Sequence, residues 1–319
     1  MNVERNVSLA PVNVERNVSL APHTSLRVGG PADFFLLARS PEELVQGLRW
    51  ARAEDLPVRV IGGGSNLLVS DAGVDGLVIK AANASSEVRD RDGRPVLVAD
   101  AGVTFANIAR KLARQGFSGL EWAANVPGTV GGAAVNNAGA FGGDTARCLV
   151  GLRIVDATGQ GRCLDPVDLA YAYRTSLLKQ RSLGDVAVVQ VELKIESSTP
   201  ERAQGLISEF QAQRTRSQPR ILSAGSVFAN PAGSYAGKLI EEAGLKGATA
   251  GSAAISEQHA NFIVNPGGAN AGDVYALMRQ AQTAVFERTG IWLRPEIELL
   301  GRWTDEQREA ALESVLRHG

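Results

Sequence analysis

The sequence predicts a mixed helix-and-strand chain of two or three domains, and three observations carry that expectation. A length of 319 residues exceeds what one hydrophobic core usually spans. Strand and helix patterns follow each other as β-α-β-β up to Ile79, the mark of a small α/β lobe. Beyond Ser217-Gln218-Pro219 the composition changes, which places a boundary there. Apolar residues make up 44% of the chain, enough to fill a sizeable core.

The N-terminus carries a tandem repeat: Asn2–Pro11 and Asn13–Pro22 both read NVERNVSLAP. Two copies are too few for a solenoid, so residues 1–22 are expected to be a disordered, dispensable extension. Ser40-Pro41-Glu42-Glu43 is a capping box with proline in the first turn, opening a helix to Ala53. Strands are expected at Val58–Ile61, Leu67–Val69, Leu77–Ile79 and Val96–Ala99. Thr104 is placed to cap a helix that Gly116 ends. Leu152–Val155 and Cys163-Leu164 form a hairpin around Thr158-Gly159. Val189–Ile195 alternates as a half-buried strand. Thr199-Pro200-Glu201 starts a helix to Arg216, and Ser234 is read as the cap of a short helix closed by Gly244. A helix at Gly272–Thr289 ends at Gly290. Ile291–Leu300 is read as a final strand interrupted by Pro295, and Thr304–His318 as a helical tail.

Two stretches stand out chemically. Val58–Ile61 runs into Gly62-Gly63-Gly64-Ser65-Asn66, and Asn125–Gly143 reads NVPGTVGGAAVNNAGAFGG with no charge. Glycine lets a ligand lie against the backbone, and successive free N–H groups make anion-binding nests. Neither stretch is G-x-G-x-x-G or a P-loop. Each alone also reads as a tight turn, but two together favour a long diphosphate ligand such as a dinucleotide. A net charge of −1 offers nothing to nucleic acid or a membrane surface. No apolar run spans a bilayer and no signal peptide is present, so a cytoplasmic protein is expected. Cys148 and Cys163 lack metal spacing, and His23, His259 and His318 are scattered, so no metal site is expected.

Six motifs in order then identify a resemblance. Gly62–Leu68 (GGGSNLL), Val126–Gly142 (VPGTVGGAAVNNAGAFG), Tyr173–Ser176 (YRTS), Gly225–Pro231 (GSVFANP), His259–Asn265 (HANFIVN) and Pro295-Glu296 resemble the UDP-N-acetylenolpyruvoylglucosamine reductase family over His23–Arg302. The resemblance implies an α+β protein: a vanillyl-alcohol-oxidase-type (PCMH) FAD-binding fold of two lobes plus a C-terminal α+β substrate-binding domain. It divides the chain into residues 23–90 and 91–217 (the FAD-binding lobes), 218–302 (the substrate domain) and 303–319 (the tail). Only 51 residues separate Arg174 from Ser226, which resembles the subtype without a tyrosine loop over the substrate.

The resemblance also implies the chemistry. NADPH reduces non-covalent FAD, flavin N5 passes hydride to the β-carbon of a UDP-sugar enolpyruvyl ether, and a proton reaches the α-carbon. The product is UDP-N-acetylmuramate, a peptidoglycan precursor. Hydride addition builds negative charge on the substrate carboxylate, which needs a fixed cation or acid. Arg174 matches that role, though a structural ion pair fits it equally from sequence. Glu296 matches the second stabilising group, and burial must keep it protonated to help. An exposed strand face shared with Arg294 and Glu298 is the plainer alternative. Ser226 matches the proton donor, and a turn-stabilising serine is the alternative. Cofactor contacts are implied for Gly62, Gly63, Gly64, Ser65, Asn66, Leu67, Asn125, Pro127, Gly128, Thr129, Gly132, Ala133, Val135, Gly139 and Ala140. Substrate contacts are implied for Tyr173, Asn230 and His259. No histidine lies in Asn125–Gly143 to hold flavin covalently, against an oxidase of the same fold. Retention of Arg174, Ser226 and Glu296 argues against a non-catalytic module. The expected partners are NADPH and the UDP-sugar, with no nucleic acid or membrane, and a monomeric state.

Overall fold

Strand β1 (Glu15–Ser19) pairs antiparallel with β2 (Pro31–Ala38), which runs parallel to β5 (Val74–Ala81), itself parallel to β3 (Val58–Ile61). The structure, a computed structural model, describes residues 13–312. Helix α1 (Pro41–Ala53) covers this sheet through Leu44, Leu48 and Ala51, and the Ser40 hydroxyl accepts the Glu43 N–H to cap it.

A second, antiparallel sheet has the order β12 (Gly161–Leu164), β11 (Leu149–Asp156), β13 (Val186–Lys194), β7 (Arg94–Asp100) and β6 (Ser86–Arg91). Helix α2 (Phe105–Arg114) buries Phe105, Ile108 and Leu112 against it. The glycine run contributes α3 (Val130–Asn136), and the one-turn α4 (Thr145–Cys148) follows it. Short ribbons pair β8 (Phe117–Ser118) with β14 (Glu196–Ser197) and β9 (Gly139–Ala140) with β10 (Gly143–Asp144). Val155, Ala187 and Val189 of the second sheet pack into the core under α1, so the two sheets share apolar contact.

After the long helix α5 (Pro200–Ser217) comes a third sheet: β15 (Leu222–Ser223), β18 (Ile263–Asn265), β17 (Ala253–Ile255) and β16 (Thr249–Ala250). Helices α6 (Ala236–Glu242) and α7 (Ala271–Thr289) pack with it around Leu239, Val274, Leu277 and Met278. The chain then returns to the first lobe, where β19 (Glu298–Leu300) pairs parallel with β4 (Leu67–Val69). Helix α8 (Asp305–Leu312) follows. Among the described residues no helix is long and apolar enough to cross a membrane.

Three expectations are corrected. The second repeat copy is not disordered: it forms β1, with Val14, Val18 and Leu20 in the core and Arg16 stacked over Phe34 at 5.0 Å. The repeat obscured an ordinary edge-strand pattern, and Leu20 is fully buried. Residues 1–12, with the first copy, lie outside the described residues. Ser234 does not cap α6; Asn230 Oδ1 accepts the Ala236 N–H at 3.0 Å instead. The last strand is only Glu298–Leu300, because Pro295 lacks a ladder N–H and makes a single bridge to Phe228. Strand β6 and helix α3 were not anticipated, since β6 is mostly polar and α3 hides among glycines. The expected tail helix is described only to Leu312.

Candidate active site

The two glycine stretches touch. A Cβ placed on Gly63 would lie 2.7 Å from Gly128 Cα, and one on Gly128, whose φ is +101°, would lie 2.6 Å from Ser65 Oγ. Only glycine tolerates this approach. Ser65 Oγ donates to Pro127 O at 3.2 Å across the junction. The N–H groups of Gly63, Gly64, Ser65, Gly128 and Thr129 donate to no protein carbonyl. Those of Val130 and Gly131 are taken by Val103 O and Ala101 O, and that of Gly132 by Thr129 Oγ1. The free donors are therefore in the loop and in the turn before α3, not in the first turn of α3 itself.

This junction opens into a long cleft between the first two sheets, edged by the third. Apolar side chains such as Leu48, Val58, Val60 and Val188 line part of it. Arg59, Arg174, Lys179, Arg181 and Arg214 face it against only Asp185, Glu296 and Glu298, so the lining favours an anionic ligand.

One corner concentrates the chemistry. The segment around Arg174 folds over the C-terminal end of α3, whose last carbonyls have no helical partner. Tyr171 Oη donates to Ala134 O at 2.7 Å and Ser176 Oγ to Val135 O at 2.6 Å. Arg174 Nη1 and Nη2 donate to Asn137 O and Gly139 O at 3.3 and 2.7 Å. Arg174 Nε stands 2.9 Å from Glu296 Oε1, with side chains only 24% and 16% exposed. That N–H is not aimed at the oxygen and makes no hydrogen bond, so the contact is an ion pair with a donor unspent.

Asn66 and Val227 fix Glu296. Asn66 Nδ2 donates to Glu296 O at 3.0 Å and to Asn136 Oδ1 at 3.3 Å. Val227 O accepts the N–H of Glu296 at 2.8 Å, which sets Ser226 beside it. Burial raises the Glu296 carboxyl above its ordinary range, with Arg174, Lys179 and Arg294 opposing. The net direction is upward, because the Arg174 contact lacks the aligned hydrogen bond that would offset burial. Ser226 lines the cleft, and its hydroxyl makes no hydrogen bond among the described residues. It therefore does not stabilise the turn, which Gly225 makes with φ +78°.

The cleft brings together Arg174, Ser226 and Glu296, and also Gly62–Leu67, Pro127–Thr129, Gly132, Ala133, Val135, Gly139 and Ala140. It does not include Asn125, which is buried with Oδ1 accepting from Arg110. Nor does it include Tyr173, Asn230 or His259. Tyr173 is 54% exposed and stacks on the Arg174 guanidinium at 5.4 Å. His259 Nδ1 accepts the Asn261 N–H, and burial lowers its pKa. Sequence reasoning missed Lys179, Arg181 and Arg214 in the lining; nothing in their local patterns marks them.

Comparison with known proteins completes the description. Residues 32–163 match the FAD binding domain family, and residues 217–300 match the C-terminal domain of UDP-N-acetylenolpyruvoylglucosamine reductase. The UDP-N-acetylenolpyruvoylglucosamine reductase of Synechococcus sp. (strain JA-3-3Ab) is 45% identical, covering 88% of this chain and 89% of its own. That of Gloeobacter violaceus is 42% identical over 88% and 93%. The crystal structure of the Thermus caldophilus reductase is 37% identical, covers 90% of this chain and 99% of its own, and superposes with a TM-score of 0.75.

Proposed function

The chain belongs to the UDP-N-acetylenolpyruvoylglucosamine reductase family, and from that membership we propose how its cleft works. The protein is an FAD-dependent oxidoreductase that uses NADPH to reduce the enolpyruvyl ether of UDP-N-acetylglucosamine in peptidoglycan precursor synthesis. Its fold is the two-lobed FAD-binding fold with a C-terminal substrate domain. The residues fit FAD: the touching loops offer free amides to a diphosphate, and glycine at 63 and 128 is what lets the two loops touch. When bound, FAD accepts hydride from NADPH and supplies it to the substrate β-carbon.

The roles of the protein groups follow from the corner. Arg174 holds the substrate carboxylate, presenting a guanidinium already fixed by two backbone carbonyls. Glu296, whose protonated form burial favours, stabilises the charge that develops there. Ser226 Oγ delivers the proton to the α-carbon, and its uncommitted hydroxyl is the observation that carries this assignment. Tyr173, exposed beside Arg174, meets the substrate at the rim, while Asn230 serves as the cap of α6. We keep residues 23–90, 91–217 and 218–302 as three proposed units, with β1 extending the first sheet, β6 joining the second and β19 returning to the first lobe. We place the enzyme in the cytoplasm as a monomer, because one chain supplies Arg174, Ser226 and Glu296.

The test is anaerobic. The purified protein should be yellow, bleach with NADPH, and regain colour when the UDP-sugar enol ether is added. Colour that returns only with oxygen would mark an oxidase and overturn the reading.

A further inference from the structure

Lys179 lies five residues beyond Arg174 and faces the same cleft. Its Nζ donates to Arg174 O at 3.1 Å. No backbone N–H takes that carbonyl. Arg174 itself is left-handed, with φ +58°, a conformation costly for a residue with a side chain and kept only where surroundings impose it. Ser176 supplies part of that frame, since its Oγ accepts the Lys179 N–H at 3.1 Å while donating to Val135 O. The ammonium thus closes a loop whose other clamps are the Arg174 bonds to Asn137 O and Gly139 O.

The same ammonium lines the cleft together with two carboxylates, Glu296 and Glu298. Glu296 is faced by Arg174, Lys179 and Arg294, and Glu298 by Lys179 and Arg181. Lys179 in turn is faced by Glu296, Glu298, Arg294 and Arg174.

We infer that Lys179 is a positioning residue of the reaction: it pins the Arg174 carbonyl so that the guanidinium points into the cleft, and it brings a positive charge to the lining that Glu296 and Glu298 share. The inference rests on the proposed roles of Arg174 and Glu296. Two consequences separate it from mere packing. Loss of the clamp frees Arg174 from its left-handed conformation and slows substrate reduction. Loss of the charge removes a stabiliser of both carboxylates, so their protons are held to higher pH.

The experiment uses the full-length FAD-bound enzyme with Lys179→Met, Lys179→Gln and Lys179→Arg. For Met and Gln, recolouring by the enol ether should slow about tenfold at its pH plateau. Its alkaline limb, to which loss of the Glu296 proton contributes, should move to higher pH. Lys179→Arg should restore the limb and only part of the rate, because guanidinium returns the charge but not the single-point clamp. A limb that stays at its wild-type position in both neutral variants overturns the inference, whatever the rate. So does a Lys179→Arg enzyme that matches Lys179→Met. Should the neutral variants lose FAD, melting of the apo-proteins against pH decides the same question. The fall in stability with rising pH must extend to higher pH than in wild type, and an unchanged profile overturns the proposal. Wild-type enzyme that fails to recolour with the enol ether would instead sink the assigned reaction, and the apo-protein profile would still decide for or against Lys179.

Discussion

The two ends of this active site are built by opposite means. At the glycine junction the binding groups are backbone amides, and side chains matter by their absence: Gly63 and Gly128 leave no room for a Cβ. At the Arg174 corner the binding groups are side chains, and the backbone is bent to serve them. Arg174 and Asn137 are both left-handed although neither is glycine. A cradle of amides recognises a diphosphate of any nucleotide, whereas the corner must place a cation, an acid and a hydroxyl against one reacting group. The difference predicts that damage at the junction empties the site, while damage at the corner leaves it loaded and slow.

The strongest test of that difference is Ser226→Ala. The hydroxyl makes no hydrogen bond among the described residues, so its loss should leave folding and flavin content unchanged. Bleaching by NADPH needs no proton from Ser226 and should proceed at a near-normal rate. Recolouring by the enol ether should slow by about 100-fold or more, the usual cost of removing a positioned proton donor. Anaerobic stopped-flow on the two halves separates the outcomes. Equal slowing of both halves would mean that Ser226 shapes the site, and no slowing would put the donor elsewhere.

Gly128→Val probes the other end. A β-branched residue at φ +101°, with its Cβ against Ser65 Oγ, strains the junction by about 1–3 kcal/mol. Flavin retention, read as visible absorbance per protein, should fall about 10- to 100-fold. Gly132→Val should do less, because its Cβ would meet only Thr129 Oγ1 at 3.4 Å and its N–H is already spent on that oxygen. Equal loss in both variants would remove the distinction between the turn and the helix.

The same contrast explains what the sequence makes legible. Missing side chains leave a signature, so both glycine stretches read directly as a bare-backbone site, and the helices with proline or capped starts read almost to the residue. The corner has no such signature. Arg174 and Glu296 lie over a hundred residues apart, and each fits an ion pair or a solvated strand face. Only the ordered motifs singled them out. Lys179 and Arg214 went unseen because their roles depend on carbonyls brought close by tertiary folding. Strand β1 is masked by repetition itself, because the apolar residues Val14, Val18 and Leu20 that build it fall within one copy of a repeat.

That strand offers a smaller effect. Removing residues 2–12 leaves Met1 followed by one copy and His23, the same product as removing residues 12–22. Either way one copy remains to form β1, so stability and flavin content should match wild type. Removing residues 2–22 deletes Leu20, which is fully buried, and uncovers the edge of β2. The loss should be about 2–3 kcal/mol from the burial of Leu20 and its neighbours, measured by denaturant unfolding. Unchanged stability in the longer deletion would return the repeat to a dispensable role.

The smallest effect lies at Glu298, and its sign is fixed by the corner. Glu298 itself is exposed at the start of β19, yet desolvation by the walls of the cleft raises its carboxyl above its ordinary value, with Lys179 and Arg181 only partly compensating. Between the unfolded and folded values the folded chain binds more protons than the unfolded one, so stability falls as pH rises through that window. Below it the group is protonated in both states and contributes no penalty. Glu298→Gln removes the titration and keeps the shape. The apo-variant should therefore melt at the same temperature as wild type near pH 4 and about 1–2 °C higher at neutral pH. A variant that is less stable than wild type at neutral pH would show that Glu298 is held ionised by Lys179 and Arg181. The corner would then be a balanced ion network, and the proposed acid role of Glu296 would lose its support.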